Sequence, residues 1–335
     1  MFRNFLINLF LLIPIWTLKV ILFFHVDIKR KYIFDTQSQF LTYLLPKFDL
    51  HNVKNEEIQD VRNLIEERRL ALRISKRPVK NITKIDHKIN NDESLLLREY
   101  VPYKTDNENV ILFFHGGGYV LNSVNTHDDM VSLFSEKLRT RIFSLDYKLS
   151  PENKFPVALQ NSVAAFEWLK DKGVASEKIS FCGDSAGAHL AASLTHYLSK
   201  RQVEIHSQLL IYPMCDPACN SESQKLFSEG YFLTQKAMEW FWNHLKSHDD
   251  NLHDDTFNLL KNTNKITAYH TFIVTAGFDP LHDEAEKYAS ILHNVGNSVK
   301  QLHYPSLFHG FASMTRLKTA NNAVNDFLRE YKKIL

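Results

Sequence analysis

From Val110 onward the chain repeats one alternation, a short apolar run followed by a stretch of helical spacing. The runs are VILFF (110–114), RIFSLDY, KISFCG, SQLLIYP, TFIVTA (271–276) and VKQLHY; the helical stretches lie near 127–139, 158–172, from Ala186, 282–294 and 316–334. A strand that is apolar throughout has no face to give to water, so it must be covered on both sides, and the interleaved helices supply that cover. The chain is therefore predicted to be α/β, with a mostly parallel central sheet flanked by helices. Before Val110, from Val79, NITKIDHKI and SLLLREYV alternate with period two around Asn90, Asn91 and Asp92, which predicts a hairpin.

Two segments stand outside this rhythm. Residues 35–76 read as polar helix, with Val61, Leu64, Ile65 and Leu72 at helical spacing in VRNLIEERRLALRIS and Pro78 as the stop. Residues 27–78 are thus expected to form a connector or cap, and an insertion at about 215–266, carrying EWFWNHL, a second cap element. The rest of 79–335 is expected to be one catalytic domain. Composition matters for what it excludes: 44% hydrophobic and 23% charged residues argue against disorder, and 40 basic against 38 acidic side chains argue against a strongly basic nucleic-acid binder. Cys182, Cys215 and Cys219 are too few and of the wrong parity for a disulfide framework, so they read as thiols, with a Cys215–Cys219 bridge as the alternative.

Residues 1–26 pose a separate question. Phe5–Phe24 is apolar over about the length that crosses a bilayer, interrupted by Asn8, Pro14 and Lys19, and no small-residue cleavage site follows. It is expected to stay attached as a membrane anchor or interfacial helix. Arg3 before it and Lys29, Arg30 and Lys31 after it would leave the globular part facing the cytoplasm. The alternative is a cap helix on a soluble cytoplasmic protein, kinked at Pro14.

The chemistry concentrates at strand ends. Gly183-Asp184-Ser185-Ala186-Gly187 fits G-x-S-x-G directly after KISFC and before AHLAASLTHYL, the strand–turn–helix context in which a serine hydroxyl projects clear of the sheet. His115-Gly116-Gly117-Gly118-Tyr119 follows VILFF, and consecutive glycines let backbone N–H groups close on a developing oxyanion. Gly116, Gly117 and Gly118, with the N–H of Ala186, are the expected donors; no G-K-[ST] ending or G-x-G-x-x-G spacing supports a nucleotide site. A serine nucleophile needs a base and the base an orienting carboxylate. Asp279 in GFDPLHDE and His309 in LFHGF both lie just past strands, and the chain order Ser185, Asp279, His309 is that of α/β-hydrolases. Asp283, His282 and His303 are the rivals, less favoured for lying at a helix start or inside a strand.

These residues resemble the hormone-sensitive-lipase family of α/β-hydrolases, which includes bacterial esterases and arylacetamide deacetylases. HGGGY, DYKLSPENKFP, GDSAG, GFDPLHDE and the FHGF loop carry the match over about residues 80–335. The resemblance implies the α/β-hydrolase fold, with Ser185 as nucleophile, His309 as base, Asp279 as its partner, an acyl-enzyme in carboxylic-ester hydrolysis, and no metal or organic cofactor. Gly187-Ala188-His189 departs from the family's usual GDSAGGN and is similar to arylformamidases, which leaves the acyl substrate open and makes His189 a candidate pocket residue. An amidase or arylformamidase with the same triad, or a receptor on the same scaffold, are the alternatives. The expected partners are a small-molecule ester, a membrane surface met through residues 5–24 and, in a homodimer, a second copy of the chain. Two further signals point elsewhere: His244, His248 and His253 lack an H-E-x-x-H pattern and read as a solvated helix end, and Trp240, Phe241, Trp242, Tyr231 and Phe232 divide between core packing and pocket lining.

Overall fold

The computed structural model describes residues 9–22, 25–44, 50–72, 74–78, 81–89 and 92–335. Among the described residues, ten strands and ten α-helices have defined bounds. α1 (Ile15–Ile21), β1 (Ile28–Lys29), β2 (Tyr32–Ile33), α2 (Thr36–Leu44) and α3 (Ile58–Leu72) precede the main sheet. Then come β3 (Thr83–Ile89), β4 (Asp92–Val101), β5 (Val110–Phe114), α4 (Asp128–Leu138), β6 (Arg141–Asp146), α5 (Val157–Asp171), β7 (Ile179–Asp184), α6 (Ala186–Ser199) and β8 (Ile205–Ile211). The insertion holds α7 (Glu222–Leu226) and α8 (Gln235–Leu245); β9 (Ala268–Phe278), α9 (His282–Asn294), β10 (Val299–Phe308) and α10 (Lys318–Lys332) finish the chain.

Eight strands form one sheet in the order β10-β9-β8-β7-β5-β6-β4-β3. The six strands from β10 to β6 pair in parallel; β4 and β3 are antiparallel additions, as the period-two hairpin signal predicts, although Asn90 and Asn91 of its turn lie outside the described residues. β5 and β7 are fully buried along their length, in keeping with their unbroken apolar sequences. α4 and α10 supply the core of one face, and α5, α6, α9 and insertion helix α8 that of the other. β5 lies between β7 and β6, so the chain leaves it to both sides, and such a switch point opens a crevice at the carboxyl ends of the strands.

Two devices fasten the outer segments over that crevice. α3 buries few of its own side chains, yet Arg62 donates from Nε to the Val120 carbonyl (2.7 Å), from Nη2 to the Ser150 carbonyl (2.7 Å) and from both Nη atoms to Glu152 (2.9 and 2.7 Å). The strap after it is stitched down by Lys76 N–H to Thr315 Oγ1 (2.8 Å) and Arg316 N–H to the Ile74 carbonyl (2.9 Å). In the insertion, Thr234 caps α8 by accepting from Ala237 N–H at 3.1 Å.

The hydrophobic N-terminus does not run as one span through its described part. Leu9 and Phe10 are helical and are followed by a turn at Leu11–Leu12, the seven-residue α1 starts only after Pro14, and Phe10, Leu18 and Leu22 dock into the domain. Among the described residues no helix is long and apolar enough to cross a membrane; Phe5–Asn8 and Phe23–Phe24 of the apolar stretch lie outside them.

Candidate active site

Ser185 sits between β7 and α6 at φ 55°, ψ −119°, a conformation costly for a side-chain-bearing residue, by about 1–3 kcal/mol. The flanking glycines make the turn sterically feasible. A Cβ on Gly183 would come within 2.3 Å of the Gly187 backbone, and one on Gly187 within 2.0 Å of the Phe114 carbonyl oxygen. The Ser185 N–H donates to the Ile211 carbonyl of β8 at 2.9 Å, which holds the elbow to the sheet.

His309 follows the last residue of β10 and precedes Gly310 at φ 84°. Its Nε2 lies 2.9 Å from Ser185 Oγ and its Nδ1 2.9 Å from Asp279 Oδ2. Asp279, buried at the end of β9, accepts from the Leu281 N–H through Oδ1 (2.8 Å), so the carboxylate is held at both oxygens. Because a carboxylate only accepts, Nδ1 must carry the imidazole proton, and Nε2 is left to accept the serine hydroxyl proton. The ring of Tyr212 packs 4.7 Å from that of His309.

The structure brings together the three residues singled out from sequence and sets the rivals elsewhere. Asp283 receives Arg30 Nη2 and Ser223 N–H, both at 2.8 Å. His303 Nδ1 meets Thr275 Oγ1 at 2.9 Å, and His282 Nε2 lies 3.4 Å from Glu286. His282, Glu286 and His303 have donor atoms within 4.8 Å of one another, the metal-ligand grouping found among the described residues. His244 spends its nitrogens on the Trp240 carbonyl (2.8 Å) and Asn55 Oδ1 (3.0 Å). All three cysteines are free and buried, so the Cys215–Cys219 bridge is not formed.

The glycine loop requires one correction. Gly116 N–H donates to Asp184 Oδ1 at 2.9 Å and is therefore spent within the protein. The N–H groups of Gly117, Gly118 and Ala186 make no hydrogen bond among the described residues and remain available to an oxyanion. Asp184, which sequence did not single out although it lies inside the pentapeptide, fixes the loop from below. Burial opposes its charge, but His127, Arg69 and the Gly116 N–H outweigh that and hold its carboxyl below the usual range. Asn122 Nδ2 donates to the Gly116 carbonyl at 3.0 Å and Tyr147 OH to that of His115 at 2.7 Å, so the loop's carbonyls are turned away from the site.

Ser185, His309 and the three glycines open into a cavity of about 1190 Å³. Leu121, Met238 and Phe241 give it an apolar wall, Phe232 lines it too, and Arg69 of α3 adds a charge. Phe241 packs so closely on the loop that a Cβ on Gly118 would lie 2.1 Å from its ring. Trp240, Trp242 and Tyr231 are core instead. His189 is no pocket residue: it is buried between the Tyr119 hydroxyl (2.6 Å) and the Phe257 carbonyl (2.8 Å), and burial pushes its pKa down to about 4.

Residues 111–313 match the sequence model of the alpha/beta hydrolase fold. The carboxylic ester hydrolase LipN of Mycobacterium tuberculosis is 31% identical over 232 residues, 66% of this chain and 61% of that protein, so the chain spans less than two thirds of its length. An arylesterase of Saccharolobus solfataricus is 28% identical over 265 residues, 78% of this chain and 86% of that protein. Among solved structures, a fungal esterase from Rhizomucor miehei superposes with a TM-score of 0.80 at 26% identity, covering 92% of this chain and 97% of that one.

Proposed function

The chain belongs to the α/β hydrolase fold family, in its hormone-sensitive-lipase-like branch, and from that premise we propose that it is a serine hydrolase of short to medium acyl carboxylic esters, working through an acyl-enzyme. The observation that carries the reading is the unbroken hydrogen-bonded chain Ser185–His309–Asp279 beside three unused backbone donors. Ser185 Oγ attacks the ester carbonyl carbon while His309 Nε2 takes its proton. The oxyanion forms against Gly117, Gly118 and Ala186 N–H. His309 then gives the proton to the leaving alcohol oxygen as the acyl–alkoxy bond breaks; it next takes a proton from a water that attacks the acyl carbon, and returns that proton to Ser185 Oγ as the acyl–Oγ bond breaks and the acid leaves. Asp279 keeps the imidazole in its Nδ1–H form and stabilises the cation without taking the proton.

A p-nitrophenyl ester series from acetate to palmitate, run on the wild type and Ser185→Ala, tests this. Turnover is expected to peak at short to medium chains and to fall by about 10³-fold or more in the variant. Comparable activity in Ser185→Ala would end the proposal.

The same reading extends to where the enzyme works. It associates with a lipid surface as an interfacial protein, with the substrate cavity above the sheet. Leu12, Trp16 and Val20 are 78%, 70% and 69% exposed, Ile21, Val26, Ile28 and Ile33 are exposed as well, and Lys19, Lys29 and Lys31 supply positive charge suited to anionic headgroups.

A further inference from the structure

The wall of the cavity contains several cations, and their partners differ. Arg98 holds Asp86 at 2.7 and 2.8 Å, Lys84 is bonded to Asp128, and Arg77 lies 3.4 Å from Asp129. Those charges are balanced within the protein. Arg69, in the last turn of α3, is not. Its guanidinium carries five N–H donors, and among the described residues one bond is made, from Nη2 to Ser313 Oγ at 2.9 Å. No carboxylate among the described residues lies within ion-pair distance of it. Asp184 is the largest influence of opposite sign, but it forms no ion pair with Arg69 among the described residues, and its Oδ1 serves Gly116 N–H and His127.

We propose that Arg69 forms an anion subsite in the same cavity as Ser185 and His309, and that the preferred substrate is an ester carrying a carboxylate on its acyl part. The inference rests on the hydrolase reading above. Ser313 gives the guanidinium a fixed orientation. Its hydroxyl proton goes to the Gly310 carbonyl at 3.0 Å, so it accepts from Arg69 and spends one donor of the fork. The remaining edge matches a carboxylate bidentately. Desolvation pushes the pKa of Arg69 down from its ordinary value, a cost that Asp184 compensates only in part, while the residue itself is half-buried in the cavity wall. A substrate carboxylate supplies that compensation, while Leu121, Met238 and Phe241 take up an apolar stem between ester and anion.

The test pairs ethyl hydrogen succinate, glutarate and adipate with the neutral ethyl butanoate, pentanoate and hexanoate, following ethanol release at low ionic strength. In the wild type at least one hemiester is expected to exceed its neutral partner in kcat/KM by about tenfold or more. Arg69→Met should abolish that preference mainly through KM, the hemiester losing about tenfold or more relative to its neutral partner, and Arg69→Lys should restore part of it. Preference for the neutral ester at every length, or equal losses on both substrates in Arg69→Met, would overturn the subsite; the latter would make Arg69 a positioning residue for the Ser313 loop. If wild-type protein turns over neither series, the hydrolase reading falls and takes the subsite with it. Neutral turnover alone sinks the subsite and leaves the hydrolase reading standing.

Discussion

Asp279 and Asp283 are four residues apart, and a sequence offers both to His309. Their surroundings separate them: Asp279 is buried and bonded to the imidazole, whereas Asp283 is committed to Arg30 and Ser223. Asp279→Asn is therefore expected to lower kcat by about 10³–10⁴-fold, by presenting an amide where Nδ1–H needs an acceptor charge, and Asp283→Asn to leave kcat within about threefold. Steady-state kinetics on one good ester compares them; the reverse ranking would reject the carboxylate assignment. That Ser185, Asp279 and His309 come together was legible because each directly follows a strand, and strand ends share one edge of a parallel sheet. Gly116 was misread for the opposite reason. What removes its N–H from service is a side chain 68 residues later, and no local pattern announces a contact between two motifs. Arg69 left no signal at all, since a charged residue on an amphipathic helix looks the same whether it meets water or a cavity.

At the scale of elements, the alternation of apolar runs and helices made the sheet and its flanking layers readable, because period and burial are local properties of sequence. How the insertion is fastened was not. Its root is held by Glu284 of α9, which accepts from Cys215 N–H at 2.7 Å, Asp216 N–H at 3.3 Å and Gln224 Nε2 at 3.2 Å. Burial raises the Glu284 pKa to about 8, so the folded protein keeps a proton that the unfolded chain releases near pH 4.5. A raised folded-state pKa means stability that is full below the unfolded value and is lost as pH climbs through the folded one. Urea unfolding should accordingly weaken between about pH 5 and 8, with this group contributing at most about 1.4 kcal/mol per pH unit. Glu284→Gln should flatten that slope, its amide able to donate to Gln224 Oε1, a buried atom without a partner. An unchanged slope would mean that Glu284 is ionised in the fold.

For the whole molecule, hydropathy identified an unusual N-terminus but counted all its apolar residues alike. Phe10, Leu18 and Leu22 are consumed by the domain, which leaves Leu12, Trp16, Val20 and their neighbours as an outward face. Whether a stretch spans, lies flat or caps depends on that division, which only packing decides. The 335-residue chain is expected to co-float with vesicles containing phosphatidylserine, more weakly with neutral vesicles, and Trp16→Ser/Val20→Ser to reduce flotation by about tenfold or more with ester turnover in solution intact. Equal flotation of the variant would exclude this face as the contact.

β10 is an edge strand that pairs with β9 alone, and it delivers His309. Ser185 and the glycine loop follow β7 and β5, which are paired on both sides inside the sheet. Peeling this one edge strand away from β9 would therefore carry His309 out of reach of Ser185 while leaving the serine turn and the glycine loop anchored in place.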